Sequence, residues 1–320
     1  MDQYRAAEAA HAGMGTRILH KAFGPNAHKA LHYVKKEAVR LERLLSRFLK
    51  GSDVGRINRS AGLRPEKISP ETYAVLSRAK AYAAEFQGAF DITVGPLMDA
   101  WDYRHASAIP EERKIMCALS LVNRADLALD ERSGTAMLQK PGQSIDLGGI
   151  GKGYFSDRCM DIFRGCGVQS AFSNIGGNVS TLGSKPGGAP WSVGIRHPRQ
   201  EGRLLGAVSV TDKAVVTSGD YERFFMDREG RRRHHILDPA TGYPAESGLV
   251  SVTIVAQSAM IADALSTAVL VAGMEKGLGF LFRFPETEAV LVDENLSVFV
   301  TAGLKDSFQA GSGIQANVLH

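Results

Sequence analysis

The sequence predicts an α+β fold in which mixed or antiparallel sheets are flanked by helices. Between residues 168 and 256, short strand-like segments follow one another with Gly, Pro and Asn between them, while most helical patterns lie outside that stretch. A doubly wound parallel sheet would require strands to alternate strictly with helices, and this sequence lacks that alternation. The 320 residues contain neither an internal repeat nor a low-complexity linker, so we expect a single domain over residues 1–320.

The first part of the chain is predicted to be mainly helical. Apolar side chains recur at helical spacing from Leu31 to Phe48. Ser69 followed by Pro70 is typical of a helix start, and Gly88 is typical of the chain beyond a helix end. The predicted elements are, in order, a short strand over residues 15–24, helices over residues 26–50 and from Ser69 to about Phe86, a short helix after Pro110, and strand-like segments between residues 126 and 147.

The second part of the chain is predicted to consist mostly of strands, with three helices among them. The glycine run before residue 151 predicts the start of a helix over residues 151–165. Two further helices are predicted over residues 258–272 and 275–284. The predicted strands are SAFSNIGG, WSVGIRH, GAVSVT, AVVTSG, RRRHHIL and LVSVTIVA, followed after the last helices by EAVLVD and SVFVT, which close the fold.

Composition excludes several classes of protein. The 38 Lys and Arg residues exceed the 34 Asp and Glu residues by too little to predict nucleic-acid binding. Three cysteines without CxxC spacing argue against a disulfide framework and a thiolate zinc site. No apolar run reaches the roughly 18 residues of a transmembrane segment. The N-terminal stretch MDQYRAAEAAHAG lacks the pattern of an export signal, so we expect a cytoplasmic protein, although a chain trimmed of its leader would look the same.

Four glycines and a lysine follow an aspartate in the stretch SIDLGGIGKGYFSD, residues 144–157. It does not match the P-loop motif GxxxxGK[ST], because Asp146 stands six residues before Lys152 and Gly153 follows the lysine; the dinucleotide motif GxGxxG is also absent. A strand that ends in a glycine turn and starts a helix offers backbone N–H groups to an anion. The alternative is a tight turn whose glycines serve close packing, and the glycines alone do not decide between the two.

A carboxylate interrupts the apolar helix SAMIADALSTAVLVAG, residues 258–273. Asp263 is its only charged residue, and Thr267 lies one turn further on the same face. A buried carboxylate needs a cation, a metal ion or hydrogen-bond donors. Carboxylate and hydroxyl oxygens suit Mg²⁺ better than zinc. The pattern therefore favours a magnesium site, and the alternative is that an arginine or backbone donors satisfy Asp263.

Two adjacent histidines occur in RRRHHILDPATGYP, residues 231–244. On a strand, His234 and His235 point to opposite faces, so they do not form a two-histidine metal pair. One of them could face a pocket as an acid or base. Taken alone, the pair is more typical of a structural role.

In chain order, eight short motifs together resemble the ApbE family of FAD:protein FMN transferases. The motifs are MGT, SRF…S…RIN, GAFDITVGPL, DLGGIGKGY.SD, NIGGN, VTSGDYERFF, HHILDPATGYP and ADALSTA. Each motif is weak alone, but their common order covers residues 13 to about 304. The resemblance implies an ApbE-like, T-fold-related architecture, with two lobes on either side of the site as one form of the single domain.

The resemblance also implies an activity and the residues that carry it. FAD is split at its pyrophosphate with Mg²⁺ bound, FMN is joined through its phosphate to a threonine of an acceptor flavoprotein, and AMP leaves. The implied metal ligands are Asp263, Thr267, Ser266 and the carbonyl of Gly149. The implied FAD contacts are Met14, Phe48, Ala89, Phe90, Asp91, Asp146, Lys152 and Ile236. The implied base is His235, with His234 second.

The chain also departs from the family pattern. Many members are exported lipoproteins with a lipidated cysteine, and none is visible here, so a cytoplasmic acceptor is expected. The family's acceptor motif is absent from the sequence, so self-modification is not predicted. Two other readings of the same residues stay open at this point: an FAD pyrophosphatase, in which water replaces threonine, and a non-catalytic FAD-binding protein.

Overall fold

A nine-stranded sheet forms the centre of the fold in the computed structural model, which describes residues 6–103, 105 and 108–319. The strand order is β1-β2-β6-β7-β10-β13-β14-β15-β17, and every neighbouring pair is antiparallel except β15 with β17. The strands are β1 Ala6–Gly13, β2 Thr16–Phe23, β3 Glu66–Lys67, β4 Leu127–Asp130, β5 Thr135–Leu138, β6 Ser170–Ile175, β7 Asn178–Leu182, β8 Trp191–Arg196, β9 Leu204–Val210, β10 Ala214–Gly219, β11 Phe224–Met226, β12 Arg232–His234, β13 Leu249–Ala256, β14 Glu288–Asp293, β15 Val298–Thr301, β16 Phe308–Ala310 and β17 Ala316–Leu319.

Helices pack on one face of this sheet, and a small sheet packs on the other. The helices are α1 Ala27–Leu45, α2 Asp53–Arg59, α3 Pro70–Glu85, α4 Gly95–Trp101, α5 Glu112–Leu119, α6 Gly151–Gly165, α7 Ala259–Ala272 and α8 Met274–Leu281. The three-stranded sheet β16-β9-β8 covers the opposite face. Two more small sheets, β3-β5-β4 and β11-β12, complete the α+β fold, which confirms the predicted class.

Strand β13 shows why the core has two halves. All eight of its residues are buried. Val252 and Ile254 belong to the core that includes the helices, whereas Val250 and Val255 belong to the core beneath β8 and β9. A strand covered on both faces is apolar throughout rather than alternating, which accounts for the continuous run LVSVTIVA.

The first predicted helix is too long. α1 ends at Leu45, since Ser46 has an extended backbone with φ −72° and ψ 122°. The prediction of a helix to residue 50 was wrong because Phe48 continues the apolar spacing although its side chain is 64% exposed. A separate helix, α2, begins after Ser52, whose hydroxyl accepts a hydrogen bond from Gly55 N.

The end of the fold also differs from the prediction. The strands EAVLVD and SVFVT are present as β14 and β15, but they do not close the fold, because β16 and β17 follow them. β17 extends the central sheet in parallel beside β15. The predicted strand RRRHHIL is reduced to β12, so His235 lies just beyond a strand end. The sequence analysis also missed β1, α4, β7 and β11.

No helix among residues 6–103, 105 and 108–319 is both long enough and apolar enough to cross a membrane.

Candidate active site

The glycine run connects a short extended segment to the N-terminus of α6. Ser144 bridges Val94, and the carbonyl of Ile92 accepts a hydrogen bond from Asp146 N at 2.8 Å. The helix then begins at Gly151, and its N-cap residue Ile150 makes no side-chain capping bond. Gly151 N donates to the carbonyl of Leu147, and Gly153 N donates to Asp263 Oδ2 at 2.9 Å, so a carboxylate from α7 already lies at the positive end of α6.

Gly153 serves close packing rather than anion binding. A Cβ at this position would overlap the carbonyl oxygen of Ala259 and lie 2.8 Å from Cβ of Asp263. The missing side chain thus lets α6 and α7 approach each other closely. The close-packing explanation thus holds for Gly153, whereas Gly149 faces Phe90 and Thr267, and anion binding by the run stays a prediction.

Asp263 lies where α6 and α7 meet. It is 3% exposed. Its Oδ1 accepts hydrogen bonds from Lys152 Nζ at 3.2 Å and Asn178 Nδ2 at 3.0 Å, and its Oδ2 accepts one from Gly153 N at 2.9 Å. The carboxylate is thus satisfied by a lysine, an amide and a backbone donor.

Hydroxyl groups surround the next turn of α7. Thr267 Oγ1 and Ser266 Oγ donate to the backbone carbonyl of Asp263 at 3.2 and 3.0 Å. On β10, Ser218 Oγ lies 2.8 Å from Ser266 Oγ and 3.3 Å from Thr267 Oγ1. A Cβ built on Gly149 would be 3.4 Å from Thr267 Oγ1, so the glycine run reaches this hydroxyl cluster. The structure therefore brings together all four residues predicted as metal ligands.

This donor set fits Mg²⁺. It offers one carboxylate, hydroxyls and the backbone carbonyl of Gly149, all of them hard oxygen donors. Among the residues that the structure describes, no group of three or more His, Cys, Asp and Glu side chains forms a metal site. A magnesium ion here would therefore depend on few protein ligands and on substrate phosphate oxygens, which is a usual mode of Mg²⁺ binding.

The two histidines have different surroundings, as their alternation along the chain predicts. His234 is satisfied at both ring nitrogens: Nε2 donates to the carbonyl of Ala245 at 3.0 Å, and Nδ1 accepts from Ile236 N at 3.3 Å. Nδ1 of His235 is buried without a hydrogen-bond partner in the described part of the chain. Of the two, only His235 has a nitrogen left for a substrate.

Burial and nearby cations keep His235 neutral. Burial lowers the pKa of His235 to about 3, and the charges of Arg223, His234 and Lys152 act in the same direction. Lys152 also forms an ion pair with Asp263, so the charge of one lysine influences both His235 and the Asp263 carboxylate. A neutral imidazole has a lone pair free for a proton, but so low a pKa makes it a weak base until nearby negative charge raises the pKa.

Apolar side chains from two segments lie beside the glycine run, and a third apolar side chain, Phe48, contacts Arg47. Met14 is at the tip of the β1–β2 hairpin, and its Cε lies 3.7 Å from a Cβ built on Gly151. Its φ of 52° is unusual for a residue other than glycine. The Phe90 ring is 3.1 Å from a Cβ built on Gly149. Phe48 is strongly exposed on the turn after α1.

Three other predicted FAD contacts, Ala89, Asp91 and Ile236, are bonded or packed within the protein. Asp91 Oδ1 accepts hydrogen bonds from the backbone N and the hydroxyl of Thr93 at 2.8 and 2.7 Å, and Oδ2 accepts one from Arg124 N at 3.2 Å. These bonds hold its carboxylate to its own loop and to the backbone that follows α5. Ala89 packs against the main core, and Ile236 is 7% exposed with its carbonyl bonded to Ala245 N.

The sequence analysis assigned no role to three residues that shape the site. Arg47 bonds Asp146, Asn178 bonds Asp263, and Ser218 bonds the hydroxyls of α7. Each lies in one of the motifs that resemble the family, and this position was the one indication in the sequence that the residue belongs to the site. Their contacts connect elements that are far apart in sequence, so spacing along the chain could not reveal the partners.

The profile of the ApbE family matches residues 14–291. The chain belongs to the ApbE family. Among the curated relatives, the FAD:protein FMN transferase of Klebsiella pneumoniae (strain 342) is 34% identical over 294 residues, which is 90% of this chain and 90% of the relative. The protein of the same name from Treponema pallidum (strain Nichols) is 34% identical over 307 residues, or 91% and 84% of the two chains.

Solved ApbE structures share the fold. The ApbE protein of Thermotoga maritima is 33% identical with a TM-score of 0.84, and the match covers 92% of this chain and 96% of that one. The flavin transferase ApbE of Vibrio cholerae is 25% identical with a TM-score of 0.82, covering 96% and 97%. The predicted family and fold are confirmed, and so is the prediction that this ApbE chain is a transferase.

Proposed function

We propose that this ApbE protein transfers the FMN part of FAD to a threonine hydroxyl of an acceptor flavoprotein, with Mg²⁺ bound and AMP as the second product. The observation that carries the proposal is that Lys152 contacts Asp263 and Gly149 lies beside Thr267, all at the start of α6. The name FAD:protein FMN transferase, shared by the curated relatives, supports the same reaction.

The metal would be held by Asp263 and Thr267 together with the carbonyl of Gly149, and Ser266 supports Thr267 through Ser218. When bound, Mg²⁺ supplies neutralisation of the pyrophosphate charge. Asp263 is the one ionised group in this set, so it contributes most of the attraction for the ion.

Lys152 and the start of α6 bind the pyrophosphate. Lys152 Nζ donates to the carbonyl of Gly148 at 3.0 Å as well as to Asp263, which holds the ammonium at the mouth of the glycine run. A fixed positive charge stabilises negative charge that develops on the phosphate oxygens during displacement.

His235 accepts the proton of the attacking hydroxyl. The threonine oxygen forms a bond to the phosphorus of the FMN phosphate, and the bond from that phosphorus to the bridging oxygen breaks. The electron pair of the broken bond leaves with AMP, and the proton of the hydroxyl passes to His235. Its unpartnered buried nitrogen supports this role over His234.

The apolar side chains of Met14, Phe48, Phe90 and Ile236 provide surface for the rings of FAD. Asp146 contributes a carboxylate at the mouth of the glycine run. Ala89 and Asp91 act in this proposal through the loop that carries Phe90, since the Asp91 carboxylate is bonded to Thr93 in that loop and to the backbone of Arg124.

The decisive experiment is incubation of the protein with FAD, Mg²⁺ and a candidate acceptor flavoprotein, followed by mass spectrometry of the acceptor. We expect FMN attached to a threonine, and AMP released in equal amount. Steady AMP release at the same rate without acceptor would show hydrolysis of FAD and contradict the transfer. FAD binding without release of AMP would contradict both reactions.

A further inference from the structure

Arg47 connects three segments around the proposed FAD site. It follows the last residue of α1 by two positions, and its side chain is only 10% exposed. Its Nη1 donates to Asp146 Oδ2 at 2.9 Å, and its Nη2 donates to Asp99 Oδ2 at 2.6 Å. One guanidinium thereby joins the end of α1 to the glycine run and to α4.

Asp146 is held at both carboxylate oxygens. Arg47 binds Oδ2, and the backbone N of Gly148 donates to Oδ1 at 2.7 Å. The carbonyl of Gly148 in turn accepts from Lys152 Nζ. The contact of Arg47 with Asp146 therefore continues through the loop to the lysine that contacts Asp263.

Arg47 also adjoins an aromatic side chain. The guanidinium carbon lies 5.6 Å from the ring centroid of Phe48, the next residue in the chain. This distance is within the range of a cation–π contact. Phe48 and Asp146, both proposed FAD contacts, are far apart in sequence, and Arg47 contacts each of them.

We propose that Arg47 is a positioning residue for FAD, which fixes the Asp146 carboxylate and the Phe48 ring in their binding geometry before FAD arrives. The proposal rests on the proposed function for the roles of Asp146 and Phe48. An arginine suits the task because its planar fork can bind two carboxylates at once, whereas a lysine is a point charge. Groups that are already ordered lose less freedom on binding, so affinity rises.

The test measures FAD binding and turnover in Arg47→Met. We expect Kd and KM for FAD to rise about 10-fold to 100-fold, the range seen when an outer partner of a binding group is removed. We expect kcat to change by less than about threefold, since Arg47 touches neither the metal ligands nor His235. Arg47→Lys keeps the charge but loses the fork, and it should recover part of the affinity.

Arg43→Met is the matched control, because Arg43 is an exposed arginine in the last turn of the same helix. Its Kd for FAD should equal that of the parent. Kd is read from quenching of flavin fluorescence without Mg²⁺, so the measurement needs no turnover. A parent protein that binds FAD but transfers no FMN would contradict the proposed function and leave this measurement valid.

A double-mutant cycle with Asp146→Asn separates positioning from a general structural effect. If Arg47 acts through Asp146, Arg47→Met should weaken FAD binding far less in the Asp146→Asn background than in the parent. Fully additive effects, an unchanged Kd in Arg47→Met, or a fall of kcat at constant KM would each overturn the proposal. If Arg47→Met does not fold, a Kd of Arg47→Lys equal to that of the parent would overturn it.

Discussion

At the scale of single residues, the proposed magnesium site depends most on Asp263. It is the one carboxylate among the proposed metal ligands, and it is bonded on both oxygens. Asp263→Asn keeps the shape but removes the charge. We expect FMN transfer at a fixed Mg²⁺ concentration to fall about 10²-fold or more, as when one preorganised electrostatic group is removed. Initial rates across a Mg²⁺ titration measure the effect.

Asp161→Asn is the control for Asp263→Asn. Asp161 lies on α6 with its side chain 54% exposed, and its partners are Arg158 and Arg164 on the same helix. It should keep the parental rate. If Asp263→Asn also kept the parental rate and Mg²⁺ dependence, the assignment of the metal site would be wrong.

His235 predicts an unusual pH profile. Its pKa is lowered to about 3 in the free protein, so the imidazole is neutral and able to accept a proton throughout the range above that value. The acid limb of kcat/KM for FAD should therefore lie well below pH 6.5. Bound pyrophosphate adds negative charge that raises the pKa of His235, so the acid limb of kcat should lie at higher pH than that of kcat/KM.

The matching substitution is His235→Ala, which should lower the chemical step by about 10² to 10⁴-fold. His234→Ala is the comparison, because His234 is bonded at both nitrogens and its loss should affect stability more than chemistry. Single-turnover rates distinguish the two. An equal loss of rate in both variants would argue against His235 as the base.

At the scale of secondary-structure elements, the contact of α6 with α7 depends on Gly153. A methyl group there would overlap the backbone of α7. We expect Gly153→Ala to lower the free energy of unfolding by about 1–3 kcal/mol, the usual cost of overpacking. Gly165→Ala is the control at the other end of α6, where a Cβ would meet nothing within 4 Å, and it should not destabilise. Urea unfolding of both variants measures the difference.

A second element-scale prediction concerns α1 and its ion pairs. Hydrogen bonds from Arg40 hold the pKa of Glu37 below its usual value, against the opposing effect of burial, and Arg158 on α6 adds to the lowering. Because the folded-state pKa is depressed, this contribution to stability is present above the unfolded pKa of about 4.3 and is lost as the pH falls through the folded value.

Glu37→Gln should therefore be less stable than the parent at pH 7, and the gap should narrow as the pH falls below about 4. Free energies of unfolding in urea at several pH values measure this. A difference in the free energy of unfolding that stays constant with pH would show that the charge of the Glu37 carboxylate does not contribute to stability.

The elements differ in how well the sequence predicts them. Ser258 and the spacing of Asp263 and Thr267 describe α7 correctly, because a helix places residues four apart on one face. The end of α1 was predicted too late, because Phe48 continues the helical spacing of apolar residues although it is exposed. The pairing of Arg47 with Asp146 could not be predicted, because it joins residues 99 positions apart. Residue spacing along the chain thus predicts local geometry, whereas the partners of a buried charge depend on how distant elements pack together.

At the scale of the whole molecule, the proposed ligands connect elements from the two halves of the chain. FAD would contact the β1–β2 hairpin and the turn after α1, while Mg²⁺ would contact α7. We expect FAD and Mg²⁺ together to raise Tm, because a ligand at 100 times its Kd stabilises the folded state by about 2.7 kcal/mol. Thermal unfolding with FAD, with Mg²⁺ and with both measures this. In Asp263→Asn, Mg²⁺ should no longer raise Tm, whereas FAD should still raise it.

The hydrogen bond from Gly153 N to Asp263 Oδ2 also limits when the proposed site can form during synthesis of the chain. The two residues are 110 positions apart, and strands β6 to β13 lie between them. On the ribosome, the glycine run emerges well before α7, so it lacks the carboxylate of Asp263 while β6, β7, β10 and β13 of the central sheet are made. The glycine run and the hydroxyl cluster of α7 can meet only after residue 267 has left the exit tunnel, so we expect a chain that stalls earlier to lack the proposed site.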